Sequence, residues 1–212
     1  KAFTVSLGSG SLGNGGQVCF SGKRFLVDDK VYEKFKEKLL EKLPEYKVGN
    51  PMEKETLLGP LARADLLENI DRQVKEGVNQ GAKVLFGGKK PEEGELKEGN
   101  FYLPTLCEVD RENILMKEET FGPVFALTKV NGENDAVDVA NDTEYGLGCV
   151  IVSENIERAE KIGKEIDSGF VFVNTVVRSD SRLPSGGVKG SGFGRECGEF
   201  GVYEFANVKT VV

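Results

Sequence analysis

The sequence predicts an α/β fold: a parallel sheet with helices on both faces. Two observations carry this. Short runs rich in β-branched and aromatic residues alternate with longer segments whose apolar residues recur at helical spacing. The chain is 212 residues long, enough to bury a sizeable core. Sheets of this kind place their sites outside the carboxyl ends of the strands, so the loops that follow strands are expected to carry function.

The elements follow in order. Residues 1–13, with "SLGSGSLGNGG" running into the next segment, are Gly/Ser-rich and predict a flexible linker. "KRFLVD" predicts a strand. "DKVYEKFKEKLLEKL" predicts a helix with Val31, Phe35, Leu39, Leu40 and Leu43 on one face, ended by Pro44. "LARADLLENIDRQVKEGVNQG" predicts a second helix, with Gly77 and Gly81 near its end. "AKVLFGG" predicts a strand followed by a charged loop, and "PVFALTKV" another strand. "GENDAVDVANDT" is a short helix and "GCVIVS" a strand. "NIERAEKIGKEIDSG" is a helix with Ile156, Ala159, Ile162 and Ile166 inward, and "FVFVNT" a strand. From Val176 to about Gly201 the chain is loop-rich.

Composition excludes several classes. The net charge is −7 with no basic stripe, which argues against a nucleic-acid partner. No apolar run is long enough to span a bilayer, and the N-terminus has no signal-peptide anatomy. The four cysteines, at 19, 107, 149 and 197, form no CxxC pair and predict free thiols in a reducing, cytoplasmic setting. Cys107 and Cys149 sit in strand-like runs and read as core. With no histidine, Ser-His-Asp and Cys-His nucleophiles are excluded, and no metal site is expected.

Three segments remain as candidates for chemistry. In "NGGQVCFSGKRFLV", Gly15 and Gly16 permit close backbone approach, and Gln17 and Ser21 are poor core neighbours for Cys19. Cys19 is therefore either a buried spacer or a nucleophile, and the start of a helix would activate it without imidazole. "EETFGPV", Glu118 to Val124, is either an acidic turn capped by Gly-Pro or a ligand-binding string. In the second case a carboxylate accepts from a sugar hydroxyl and a phenyl ring packs on a planar ligand. "LPSGGVKGSGFGRECGEFG" has neither P-loop nor dinucleotide-fingerprint spacing; its glycines predict tight turns around a site or an interface.

These segments, in this order, resemble the aldehyde dehydrogenase superfamily. "NGGQVC" is similar to its N-x-G-Q-x-C motif and "EETFGPV" to its E-E-x-F-G-P segment. "NDTEYGLGCVIVS", "GFVFVN", "GGVKGSGFGRECGEFG" and "NVKTVV" are similar to the rest of its C-terminal half. The wording "SDSRLPSGGVKGSGFGRE" most resembles the NAD(P)-dependent succinate-semialdehyde dehydrogenases. The resemblance implies Cys19 as the nucleophile, attacking an aldehyde to give a thiohemiacetal and then a thioester. It implies that Glu119 binds the nicotinamide ribose and Phe121 packs at the nicotinamide end. Val18 and Phe20 would line the aldehyde tunnel. A glutamate base in place of histidine fits the composition.

The departures matter equally. The nearest match to the family's L-E-L-G-G base motif is "VSLGS", with Ser6 where the glutamate would be. By that resemblance, the dinucleotide-binding half and the oxyanion asparagine are expected to be missing. The expected organisation is a linker or remnant over 1–13, a catalytic domain over 14–200 and a C-terminal oligomerisation strand over 201–212. The expected chain is an engineered or truncated catalytic domain, inactive alone, binding no NAD or NADP by itself though the whole enzyme uses one. Expected partners are a small aldehyde and, in the full-length protein, further copies of itself. Ser185 in "PSGG" replaces an aromatic pocket wall, and Ser21 replaces the second cysteine of a redox switch. Arg178, Ser179 and Arg182 precede "PSGG", where an arginine would pair with a substrate carboxylate. The alternative is a folded, non-catalytic domain with an assembly role or residual thiol esterase activity.

Overall fold

A computed structural model of the chain describes residues 11–212, which divide into two units at Val139 and Ala140. The expected linker and the "VSLGS" match fall largely on residues 1–10, outside the described residues. Within the first unit, Ser11 and Leu12 are buried.

The first unit is built on one four-stranded sheet. Its strands are β1 (Arg24–Asp28), β2 (Lys83–Phe86), β3 (Thr105–Glu108) and β4 (Val124–Val130), in the order β1-β4-β3-β2. β4 is an inner strand, and its apolar run is buried on both sides, as parallel central strands require. Side chains alternate across it. Val124, Ala126 and Val130 join Cys107 of β3 on one face. Phe125 and Leu127 join Leu106 on the other.

A helix covers each face. α1 (Asp29–Lys42) packs Tyr32 and Leu39, with Leu43 just beyond its end, against Phe125 and Leu127. Asp28 caps it, its carboxylate accepting from the Lys30 N–H. The inward stripe runs through Tyr32, Phe35, Leu39 and Leu43 instead of starting at Val31, which is exposed. Val31, though four residues before Phe35, lies at the edge of that stripe, about a quarter-turn from its centre, and is left exposed. Pro44 then sits in a short 3-10 turn, as the predicted stop requires. α2 (Ala64–Asn79) covers the opposite face with Leu67, Ile70 and Val74. It starts later than predicted, because Arg63 is still extended.

Two predictions about this sheet are corrected. β2 is antiparallel to β3, with a bulge between Val84 and Phe86, so the sheet is parallel except at that edge. Between β2 and β3 lies a loop with one 3-10 turn and no crossover helix, so the chain turns back on itself. Gly87, at φ +68°, makes the reversal where a Cβ would meet the Pro104 carbonyl oxygen at 2.1 Å. The second concerns the candidate segments, which are expected in loops that follow strands. The "NGGQVC" and "EETFGP" segments precede β1 and β4 and lie at the amino ends of those strands.

The first unit also contains the four-residue α3 (Ile114–Lys117) and α4 (Gly132–Asn141), which runs across the division.

The second unit holds a parallel pair, β6 (Gly148–Ile151) with β7 (Phe170–Val173), joined through α5 (Ile156–Gly163). β5 (Tyr145–Gly146) pairs antiparallel with β8 (Val188–Lys189). α5 buries Ala159 but leaves Ile156 exposed, and it ends before Ile166. Cys149 is half-buried, not core, because its strand has one partner only. The predicted closing strand has no ladder. Gly198–Tyr203 form α6, and no strand follows among the described residues. Phe205, Val208 and Val211 are residue types common in strands but stand three apart, without a strand's period of two, and a strand forms only with a hydrogen-bonding neighbour.

Candidate active site

β1 and β4 are parallel neighbours with Arg24 opposite Ala126. Cys19 and Phe121 each lie five residues ahead of that register pair, so the ladder carries both segments to the same end of the sheet.

There the two segments interlock through glycine. Gly15 and Gly16 take φ of +65° and +74°, a region that favours glycine. A Cβ on Gly16 would stand 2.1 Å from the Gly122 carbonyl oxygen, and one on Gly122 would stand 2.0 Å from Ile70 Cδ1. Gln17 fastens the turn from the other side. Its Oε1 accepts from the Ala62 N–H at 2.9 Å, and its Nε2 donates to the Asn14 carbonyl at 3.0 Å. Asn14, Gly16 and Gln17 thus each have a mechanical reason in the motif.

Cys19 is exposed, in a turn closed by the Ser21 N–H donating to the Val18 carbonyl at 3.0 Å. The helix start suggested for it is not observed: the turn runs into β1, and the next helix begins at Asp29. Val18 and Phe20 flank it, both half-buried, while Ser21 points inward and is buried.

A cation that sequence reading missed lies among these groups. Lys23 donates from Nζ to the Gly16 carbonyl at 2.6 Å and sits 4.9 Å from the centre of the Phe121 ring. Burial pushes its pKa down to about 8, against the pull of the Glu119 and Cys19 charges. Lys23 therefore has the Cys19 turn and the Glu119–Phe121 segment as common neighbours. The one available signal was its spacing, four residues past Cys19. The contrasting thiol is Cys107, fully buried in β3, whose pKa burial pushes up to about 12.

Glu118 and Glu119 are exposed and Phe121 is half-buried. α2 supports this segment. Arg72 donates to Glu118 at 2.7 Å, and the buried Gln73 donates both to that carboxylate and to the Glu119 carbonyl. An exposed carboxylate beside a phenyl ring fits the ribose and nicotinamide end of a dinucleotide. Among the described residues, the segment supplies no comparable cradle for a pyrophosphate.

In the second unit, Arg178, Ser179 and Arg182 are exposed. The Arg182 guanidinium forms a two-point pair with Asp180, at 2.9 and 2.7 Å. Arg182's hydrogen bonds, with the Arg178 charge, hold Asp180 at about 2. Asp180 is thus a competitor for any carboxylate at Arg182. Ser185 is buried and exchanges two 2.7 Å backbone hydrogen bonds with Glu196. The glycine-rich loop folds around Arg195, which donates to the carbonyls of Gly187 and Gly194. No group of three or more potential metal ligands occurs among the described residues, and no helix there is long and apolar enough to cross a membrane.

The chain is similar to known proteins over nearly its whole length. The aldehyde dehydrogenase family model matches residues 2–211. The chain is 39% identical over 204 residues to the succinate semialdehyde dehydrogenase (NAD(P)+) Sad of Escherichia coli K12, covering 96% of this chain and 43% of that protein. It is 38% identical to a lactaldehyde dehydrogenase of Methanocaldococcus jannaschii, covering 96% and 42%. Among solved structures, succinic semialdehyde dehydrogenase of Streptococcus pyogenes with NADP+ superposes with a TM-score of 0.86 at 40% identity, covering 91% and 42%. Betaine aldehyde dehydrogenase of Staphylococcus aureus with NAD+ gives 0.91 at 32%, covering 96% and 41%. The chain thus spans well under half the length of these relatives.

Proposed function

The chain belongs to the aldehyde dehydrogenase family, and from that premise we propose that it is the part of an NAD(P)-dependent dehydrogenase that carries the nucleophile. Cys19 is the reading's nucleophile. Its thiolate forms an Sγ–C bond to the aldehyde carbon, and the carbonyl π pair moves to oxygen. An NAD(P) cofactor, which Glu119 and Phe121 would hold, would supply the hydride acceptor, so that loss of the aldehyde C–H hydride leaves a thioester on Cys19. Water then adds to the thioester carbon, the C–S bond breaks, and the acid leaves with Cys19 regenerated. The Cys19 backbone N–H faces the developing oxyanion in this reading. Glu119 binds the cofactor ribose and Phe121 flanks its ring. Val18 and Phe20 wall the aldehyde.

One observation supports this above the others: the Gly16–Gly122 approach, which holds an exposed thiol beside the Glu119–Phe121 segment. A buried spacer cysteine needs no such contact. The substrate reading is a small aldehyde with a carboxylate, such as succinate semialdehyde, by likeness to the relatives above. Arg178 is the better candidate for that carboxylate, since Asp180 engages Arg182. The test is aldehyde-dependent NAD(P)H formation by the full-length protein, lost in Cys19→Ser and weakened through a higher cofactor KM in Glu119→Gln. Retained turnover in Cys19→Ser would remove the reading. The 212-residue chain by itself is expected to give none, because Ser6 stands where the family's base motif has glutamate.

A second reading concerns assembly. Phe200, Val202, Phe205, Val208 and Val211 are all exposed near the C-terminus. A homo-oligomeric contact through this segment is supported by that apolar exposure. Light scattering on the full-length protein, with Val208 and Val211 changed to Lys, tests it.

A further inference from the structure

Gln73 has no part in the reaction described, yet it is one of the most buried polar side chains here, at 2% exposure. A buried amide is costly without partners. Its Nε2 has two, and they fall on adjacent residues of one motif: Glu118 Oε2 at 2.9 Å and the Glu119 carbonyl oxygen at 3.1 Å. Both are acceptors, so the amide nitrogen must face them. Arg72, the preceding residue on α2, donates to the same Glu118 oxygen at 2.7 Å and to Glu76 at 2.9 Å. Three residues earlier, one step along the same face, Ile70 fills the space against Gly122. α2 therefore grips the Glu118–Gly122 segment at both ends.

We propose that Gln73 is a positioning residue for the cofactor. By holding the Glu118 side chain and the Glu119 main chain, it fixes where the Glu119 carboxylate and the Phe121 ring stand. This rests on the reading of Glu119 as the ribose-binding group. The packing contact at Ile70 sets the depth of the segment, whereas the Gln73 bonds set the orientation of the Glu119 peptide. Cofactor affinity depends on that orientation, and aldehyde affinity at Cys19 does not.

The experiment compares the full-length protein with Gln73→Met, Gln73→Glu and Glu119→Gln, measuring KM for NAD(P)+, KM for aldehyde and thermal unfolding. Gln73→Met keeps the side-chain shape and removes both donors. It is expected to raise cofactor KM about tenfold, the order of one hydrogen bond to a charged group. Aldehyde KM should stay within about twofold. Gln73→Glu sets a carboxylate against Glu118, with Arg72, Glu119 and, through Arg72, Glu76 as the other charges present, and Lys23 acting on Glu119. At low pH the facing carboxylates share a proton and one donates to the other; as the pH rises and both ionise, they repel. Its cofactor KM is therefore expected to climb with pH relative to the parent, a trend that a packing defect does not produce.

Cofactor KM unchanged in both Gln73 variants while Glu119→Gln raises it would overturn the role of Gln73 alone. An unchanged KM in Glu119→Gln would overturn the ribose reading and this inference with it. Equal rises in both KM values with a large loss of melting temperature would make Gln73 a packing residue. Should Gln73→Met fail to fold, Glu118→Ala, at an exposed position, removes one of the two gripped acceptors. It is expected to raise cofactor KM by about threefold, and no change would overturn the proposal.

Discussion

Gly16 lies so close to Gly122 that a Cβ on the first would stand 2.1 Å from the carbonyl oxygen of the second. Two motifs separated by about half the chain meet backbone to backbone, and no side chain fits between them. Lys23 closes the same joint, donating to the Gly16 carbonyl and covering the Phe121 ring.

Substitution at this joint should be expensive. Gly16→Ala meets both a positive φ and the Gly122 backbone, and is expected to destabilise by about 2 kcal/mol or more. Gly122→Ala meets Ile70 Cδ1 instead. Part of its loss should return in Gly122→Ala/Ile70→Val, which trims the colliding methyl, whereas Gly16→Ala should gain nothing from that change. Chemical denaturation of each glycine variant with and without Ile70→Val, and of Ile70→Val alone, checks this, and full additivity would show that the contact is not the cause.

Thiol labelling should separate Cys19 from Cys107. Cys19 is exposed, and Cys107 is fully buried with its pKa raised to about 12. At pH 8 a thiol of pKa 12 is ionised in on the order of one molecule in ten thousand. Labelling in native conditions should modify Cys19 first, by at least about a hundredfold over Cys107, with Cys19→Ser removing the fast phase. Equal rates would return Cys19 to the status of a spacer.

Lys23 should leave a signature in stability against pH. Burial lowers its pKa from 10.5 to about 8, so the unfolded chain binds this proton more tightly than the folded one. Its penalty is fully present below pH 8 and is relieved as pH rises through 8 toward 10.5, so this group adds stability over that window. Lys23→Met removes the term. The melting-temperature difference, parent minus variant, should grow from pH 7 to pH 10. A constant difference would mean that Lys23 is not desolvated.

Charge at the second unit's loop should read out in substrate preference. Asp180 occupies Arg182 with two hydrogen bonds. In the full-length protein, Arg178→Ala should raise KM for a carboxylated aldehyde by about tenfold and leave that of an uncharged aldehyde nearly unchanged. Arg182→Ala should have the smaller effect. Equal effects on both aldehydes would remove the carboxylate reading.

Much of this was legible before folding. The alternation of strand and helix runs predicts helices on both faces of the sheet, and Leu106/Cys107 and Phe125/Ala126 divide between those faces as a period of two demands. Edges were less legible. β2 runs antiparallel because its connection to β3 is a loop, and Val31 turned outward because one residue of phase decides a helix face.

What the sequence determined by itself is the chemistry on offer: an unpaired thiol in a glycine turn, no imidazole, and a Glu-Glu-x-Phe-Gly-Pro string. Those are local properties, carried by residue type and short spacing. Tertiary structure alone decided that Cys19 and Phe121 share an end of the sheet, that Lys23 sits between them, and that Gln73 grips Glu118 and Glu119. Each of these depends on strand register or on a helix packing across the sheet, set by burial of residues far apart in the chain, which no local pattern encodes.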